Sequence, residues 1–171
     1  MKYMFKKLLF SLLAMLMIYS SAAMVYRIFE PQLDTNEQRD LTYLEYSTLQ
    51  NYIISTGESS KHILFFCSRS DPNAVFVKDT VLSTVQSDTG LSISQIIEVA
   101  DITNEDPLDI AARLYRDWGI QEMPAFLAVG VQNNACIVLD RLEWDESDPF
   151  TAMKIEDWLA ANGFKTGVYS Q

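Results

Sequence analysis

The chain has 171 residues, of which 49% are hydrophobic and 21% charged, and its formal net charge is −10 at pH 7. The apolar fraction is too high for a disordered protein, and an acidic chain lacks the basic face that contacts nucleic-acid phosphates. One His and two Cys cannot supply the four ligands of a closed zinc site. We therefore expect no nucleic-acid partner, no metal and no other cofactor.

The first 27 residues have the pattern of an export signal. Three lysines precede an uncharged apolar run, Leu8 to Tyr26, which as a helix would reach about 28 Å, close to the thickness of a bilayer core. Cleavage after Ala23 and retention of the run as a membrane anchor are two open alternatives. Both predict an exported domain, periplasmic or otherwise extracytoplasmic, since the lysines favour an internal N-terminus.

The rest of the chain contains no internal repeat and no linker rich in Gly, Ser or Pro. We interpret residues 28–40 as a polar tether, residues 41–165 as the folded domain and residues 166–171 as a tail. The length of the middle segment is typical of one domain with a single core.

Apolar periodicity and capping residues predict alternating helices and strands along this domain. In chain order they are a helix capped by Ser47 and ending near Gly57, strand His62–Cys67, a helix from Pro72 to about Gln86, strand Gln95–Ile102, helix Pro107–Trp118, strands Ala125–Val129 and Ala135–Trp144, and helix Pro149–Ala161. Three of the helices are predicted to begin with Asp-Pro, because Asp caps free backbone N–H groups and Pro fits the first helical position.

This order of elements, a βαβ unit followed by a helix, a β-hairpin and a closing helix, resembles the thioredoxin plan. The segment Trp118 to Leu127 is similar to the aromatic-Gly-Ile segment of that family, which leads to its cis-proline, here Pro124. Ile63 to Phe66, followed by a polar turn and a helix, resembles the strand before the redox motif of the family. The resemblance covers roughly Leu41 to Phe164. It implies an α/β, thioredoxin-like fold with a central mixed sheet of four to five strands flanked by helices, preceded by the N-terminal hydrophobic helix.

The chain departs from the family at the redox motif, because it has no Cys-x-x-Cys. In one alignment Asp71, Pro72, Asn73 and Ala74 occupy the motif. Asp71 then takes the position of the nucleophile and Ala74 that of the resolving cysteine, while Phe65 falls where many members carry a buried carboxylate. No thiol remains in this alignment, so it implies a degenerate, redox-inactive site.

A second alignment treats Cys67 to Ser70 as a one-thiol variant of the motif, with Cys67 as the nucleophile. Arg69 nearby would favour its thiolate. The weakness of this alignment is Pro72, because it places the helix start at Asp71, and the helix dipole acts only within about one turn of that start. We prefer the first alignment and keep a monothiol oxidoreductase acting through Cys67 as the alternative.

Pro124 and the residue before it are the candidate site for binding a polypeptide. In the family, the residue before the cis-proline offers its backbone to an extended client peptide, a form of strand addition. Met123 would do so here, and this needs no cysteine. The resemblance therefore implies a thioredoxin-fold protein that binds an extended polypeptide or a partner protein near Met123 and Pro124. It would also contact a membrane through Leu8 to Tyr26 if the leader is not cleaved.

The remaining candidate residues have ordinary structural interpretations. Cys136 is predicted in the core, and His62 is predicted to be structural. A disulfide between Cys67 and Cys136 is geometrically poor. In the thioredoxin strand order two strand spacings of about 4.8 Å separate them, and disulfides need Cα atoms within about 7 Å. A run of acidic residues is predicted to be a solvated face: Glu143, Asp145, Glu146 and Asp148.

Overall fold

A five-stranded mixed sheet lies between two layers of helices in the computed structural model, which describes residues 41–164. The strands are β1 (Thr42–Glu45), β2 (Lys61–Cys67), β3 (Ile97–Asp101), β4 (Ala125–Gln132) and β5 (Ala135–Glu143). The helices are α1 (Tyr46–Thr56), α2 (Pro72–Phe76, Val77–Val81 and Leu82–Thr89, the middle part being π-helical), α3 (Ile93–Ile96), α4 (Pro107–Trp118) and α5 (Ala152–Ala161).

The strand order is β1-β3-β2-β4-β5. The first three strands of this order run parallel, and β4 and β5 each run antiparallel to the strand before them. The α/β architecture is thus as predicted, and the sheet has five strands, the larger of the two numbers expected. Parallel strands need crossover helices, which cover both faces of the sheet.

Both faces of the sheet are buried, so β2 has five consecutive buried residues instead of an alternating pattern. On the face covered by α2 and α5, the rings of Phe65 and Phe126 stack with centroids 4.5 Å apart. On the face covered by α1 and α4, Phe66 packs against Trp118 at 5.3 Å. The core therefore consists of two layers with β2 at the centre of both.

Two of the three predicted Asp-Pro helix starts are confirmed. The carboxylates of Asp71 and Asp106 each accept a bond from a backbone N–H two residues later, at 2.9 Å. The third prediction is wrong, because α5 begins three residues late, at Ala152, with Thr151 as its capping side chain. Phe150 is 1% exposed and holds the preceding segment against the core, so Asp148 stays in a loop.

The structure also differs from prediction at α1, β3 and β1. Helix α1 begins at Tyr46, so Ser47 lies inside its first turn, and the N-cap residue Glu45 makes no side-chain capping bond. The strand expected from Gln95 begins at Ile97, because the short helix α3 precedes it. Strand β1 has no counterpart among the predicted elements, since it is a short edge strand whose residues are mostly exposed.

Cys136 is half-buried at the margin of the core, which corrects the prediction that it lies inside it. It sits on edge strand β5, where its Sγ atom is 3.5 Å from the carbonyl of Gln50. Both cysteines are free, and β4 lies between their strands as expected.

Within residues 41–164 no helix is long and apolar enough to cross a membrane. The predicted leader, residues 1–27 with the run Leu8 to Tyr26, lies outside the described residues. So do the predicted tether, 28–40, and the predicted tail, 166–171.

Candidate functional site

One end of the sheet brings together most of the residues singled out in the sequence. Cys67 ends β2 opposite Asp101, the last residue of β3. On the other side of β2, Phe66 pairs with Ala125, which directly follows Pro124. Because β5 runs antiparallel to β4, its end at Glu143 also reaches this edge, opposite Ala125.

The turn between β2 and α2 is closed by its own hydrogen bonds. The backbone N–H of Asp71 donates to the carbonyl of Ser68 at 3.1 Å, and the hydroxyls of Ser68 and Ser70 are 2.9 Å apart. The Asp71 carboxylate accepts the N–H of Asn73 at the start of α2. Ala74 follows in the first turn and is 3% exposed. Asp71 therefore acts as a helix cap, and Ala74 presents no reactive group.

Cys67 points into the core layer under α2. Its side chain is buried, with 5% exposed. Burial raises the pKa of the Cys67 thiol to about 12, and the charge of Asp101 adds to this effect, while Lys78 and Arg69 oppose it. Since the thiolate is the nucleophilic form of cysteine, this environment disfavours thiol chemistry at neutral pH.

Arg69, which the one-thiol alignment places beside Cys67, is engaged elsewhere. Its Nε atom lies 2.8 Å from the Asp101 carboxylate, and its guanidinium stacks over the ring of Tyr43 at 4.3 Å. Asp101 also accepts hydrogen bonds from Thr103. Burial raises the pKa of Asp101, but the bonds from Thr103 and the charge of Arg69 outweigh it and hold that pKa below its usual value.

On the opposite side of β2, the peptide bond between Met123 and Pro124 is cis. Met123 is half-buried, and within residues 41–164 neither its N–H nor its C=O has a hydrogen-bond partner. Unpaired backbone groups beside the first residue of β4 are available to an added strand.

The loop before Pro124 is held by Glu143, which the sequence analysis assigned to a solvated acidic face. One carboxylate oxygen of Glu143 accepts the backbone N–H groups of Gln121 and Glu122, both at 2.9 Å. Arg141 lies 3.4 Å from the same carboxylate and donates to the carbonyl of Gly119. Nothing local in the sequence identifies this role, because it depends on the pairing of β4 with β5.

The other candidate residues lie away from this edge of the sheet or form hydrogen bonds only with near neighbours in the chain. His62 contacts Glu98 at 2.7 Å and Thr56 at 2.9 Å near the start of β2, as expected for a structural residue. Asp145 accepts from Ser147. Within the part of the chain that the structure describes, no group of three or more His, Cys, Asp or Glu side chains is placed to hold a metal ion.

No protein-family model and no curated protein matches the chain. Among solved structures, thioredoxin f2 of Chlamydomonas reinhardtii is similar at a TM-score of 0.49 and 12% identity, covering 74% of this chain and 99% of that one. A thioredoxin from Thermus thermophilus has a TM-score of 0.45 and 18% identity, covering 77% and 93%. A structure of the complex of ferredoxin:thioredoxin reductase with thioredoxin f2 is similar at a TM-score of 0.44 and 17% identity. The match covers 72% of this chain and 92% of that one. By its own strand order and by the placement of its helices on both faces of the sheet, the described part of this chain has a thioredoxin-like fold.

Proposed function

We propose that this thioredoxin-fold domain is inactive as a dithiol oxidoreductase and binds an extended polypeptide at the edge formed by Met123 and Pro124. The observation that carries the proposal is the capping carboxylate of Asp71, followed by Ala74, at the start of α2. A redox-active member has its two thiols at these positions, where free N–H groups and the helix dipole stabilise a thiolate.

The absence of a dithiol leaves Cys67 as the one thiol near this site within residues 41–164. Its burial and raised pKa favour a role in packing, because a reactive cysteine must be accessible and ionised. A monothiol oxidoreductase acting through Cys67 is the alternative function. It would require the β2 end to open so that solvent reaches the sulfur.

Polypeptide binding is supported by the geometry of the loop before β4. The backbone groups of Met123 are free within the described residues, and Glu143 fixes the two preceding residues in place. A fixed loop with free donors and acceptors binds an added strand at a smaller entropy cost than a mobile one.

Thiol exchange is the first test, on the full chain with a fluorogenic disulfide as substrate. We expect no turnover above that of the Cys67→Ser variant. In a Cys136→Ser background, Cys67 should stay unlabelled by iodoacetamide at about pH 6 until the protein is denatured, because buried thiols are inert. Turnover that Cys67→Ser abolishes would contradict the proposal and favour the monothiol function.

Binding is tested with a photo-crosslinking amino acid in place of Met123 and, as a matched control, in place of Tyr115, which is 62% exposed on α4. The partner is a reduced and alkylated unfolded polypeptide, which has no thiol for exchange. We expect crosslinking from position 123 well above that from position 115. Equal yields at the two positions would mean non-specific capture and would refute binding at this edge.

The proposal also places the domain outside the cytoplasm, on the basis of the lysines before the apolar run Leu8 to Tyr26. Protease added to intact cells or spheroplasts that express the full chain should digest the domain. Digestion that occurs only after lysis would overturn the export part of the proposal and leave the binding part standing.

A further inference from the structure

A cavity of about 370 Å³ opens beside the end of β2, bordered by the edge strand β1 and the first turns of α2. This is the side of β2 that faces β3 and β1, whereas Pro124 precedes β4 on the other side. Small-molecule sites typically have volumes of about 300–1,000 Å³. The polypeptide binding proposed above does not use this cavity.

The walls of the cavity are largely apolar, while its rim carries two cations. Tyr43, Cys67, Ala74 and Val75 supply the apolar lining, Ser68 adds a polar residue, and Arg69 and Lys78 supply the charges. An apolar wall next to a pair of cations suits a ligand that has an apolar body and an anionic head.

Both cations keep hydrogen-bond donors for a ligand. Asp101 is the only charged partner of Arg69 among residues 41–164. One oxygen of that carboxylate already accepts two bonds from Thr103, so it cannot use all five donors of a guanidinium. The ion pair of Lys78 is with its neighbour Asp79, at 3.3 Å between exposed side chains. Stacking on Tyr43 fixes the Arg69 guanidinium before any ligand arrives.

A separate observation comes from the backbone of α2. Lys78 lies in the π-helical turn Val77–Val81, which interrupts an otherwise α-helical segment. Such turns are rare and occur frequently at functional sites. Here the irregular turn carries one of the two cations and lies just after Val75 on the cavity wall.

We propose that this cavity binds a small organic monoanion, a carboxylate on an aromatic or aliphatic body. The apolar body of the ligand would cover the apolar wall, which a simple inorganic anion would leave in contact with water. The carboxylate of the ligand would pair with the two cations, Arg69 and Lys78. Asp101 pairs with Arg69 and Asp79 pairs with Lys78, and these two carboxylates disfavour ligands of higher negative charge such as polyphosphates.

The test titrates the full chain by calorimetry with 3-phenylpropionate, with the isosteric neutral amide 3-phenylpropionamide and with inorganic phosphate. We expect the carboxylate to bind at least about tenfold more tightly than the amide, because charge-assisted hydrogen bonds are roughly twice as strong as neutral ones. Phosphate should bind more weakly than the carboxylate by a similar factor. Equal affinity for carboxylate and amide would overturn the proposal, as would equal affinity for phosphate or no saturable binding of the carboxylate at about 10 mM.

Two pairs of variants locate the binding. Lys78→Gln removes a rim charge, and its control is Arg116→Gln, which removes a cation from a similar pair with the adjacent Asp117 on α4. Val75→Trp obstructs the cavity wall, and Phe76→Trp places the same indole side chain at an exposed neighbour outside the residues that line the cavity.

We expect Lys78→Gln and Val75→Trp each to weaken binding of 3-phenylpropionate by at least about fivefold, and the two controls to change it by less than about twofold. Affinity that survives both cavity variants would refute this location. An equal loss in Arg116→Gln would also refute it, because the effect would then reflect net charge and not the cavity. Far-UV circular dichroism of all four variants checks that each is folded.

Discussion

Replacing Asp71 by alanine distinguishes a capping residue from a functional one. The Asp71 carboxylate accepts the N–H of Asn73 at 2.9 Å, and Asp106 makes the equivalent bond to Leu108 at the same distance. Loss of an N-cap side chain costs about 0.5–2 kcal/mol. We therefore expect Asp71→Ala and Asp106→Ala each to lower the free energy of unfolding by about 1 kcal/mol.

Asp148→Ala is the matched control, because Asp148 precedes Pro149 in the same dipeptide but caps no helix. Its carboxylate is exposed and pairs with Lys154 at 2.9 Å. Exposed ion pairs contribute about 0–1 kcal/mol, so we expect a loss below about 0.5 kcal/mol. Thr151, the observed cap of α5, should behave like Asp71, with a loss of about 1 kcal/mol on replacement by alanine.

Urea unfolding of the full chain, followed by circular dichroism, measures all four variants, and thermal unfolding should show shifts of about 3–5 °C per kcal/mol for a domain of this size. A loss in Asp148→Ala as large as that in Asp71→Ala would refute the reasoning, since the sequence motif alone would then account for the effect. Unchanged stability of Asp71→Ala together with lost polypeptide binding would identify Asp71 as a functional residue and not a cap.

Three further predictions concern the loop before Pro124, the carboxylate of Asp101 and the core. Glu143→Ala should speed amide hydrogen exchange at Gln121 by removing its acceptor, whereas Glu146→Ala should not, as measured by NMR. The low pKa of Asp101 means that the stability its ionised form contributes is complete above about pH 4 and is lost as the pH falls further. The stability advantage of the wild type over Asp101→Asn should therefore shrink below about pH 4 in urea titrations, and a constant difference would contradict this. Phe126→Ala should cost about 3–5 kcal/mol in the same assay, because its ring is fully buried against Phe65; a loss near 1 kcal/mol would contradict that packing.

The order of helices and strands could be predicted because its signals are local. Strand β2 is a continuous apolar run, and α4 begins with a cap and ends at a glycine in the left-handed region, Gly119 at φ 72°. Strand β1 gives no such signal. It is a four-residue edge strand with mostly exposed side chains, so it is defined by its pairing with β3 and not by its own pattern.

The error in the predicted start of α5 has a physical cause. Asp148-Pro149 and Asp71-Pro72 are equivalent as local sequence, yet only the second begins a helix. The difference is Phe150, whose ring packs against Trp144 and Phe126, so that α5 begins only after Thr151. Tertiary packing selects the cap among residues that are equally able to form one.

The candidate site was harder to predict for the same reason. Glu143 lies in an acidic run, and only the antiparallel pairing of β5 with β4 brings it to the loop before Pro124. Cys67 follows two phenylalanines, and its position on β2 directs the sulfur into the core layer that contains Phe65. The position of Glu143 does not follow from spacing along the chain, whereas Cys67 shares a sheet face with Phe65 because strand residues two apart point to the same side.

The placements of Glu143 and Cys67 both bear on the function of a thioredoxin-like fold that has no dithiol. The helix terminus that would stabilise a thiolate is intact, with its cap and its proline, but the capping group is the carboxylate of Asp71. A carboxylate there caps the helix and cannot exchange disulfides. Among residues 41–164 the backbone groups of Met123 have no partner, and Glu143 accepts the N–H groups of the two residues before Met123. In the function proposed above, the start of α2 is therefore structural and the loop before Pro124 is the binding element, so the proposal is of a binding protein.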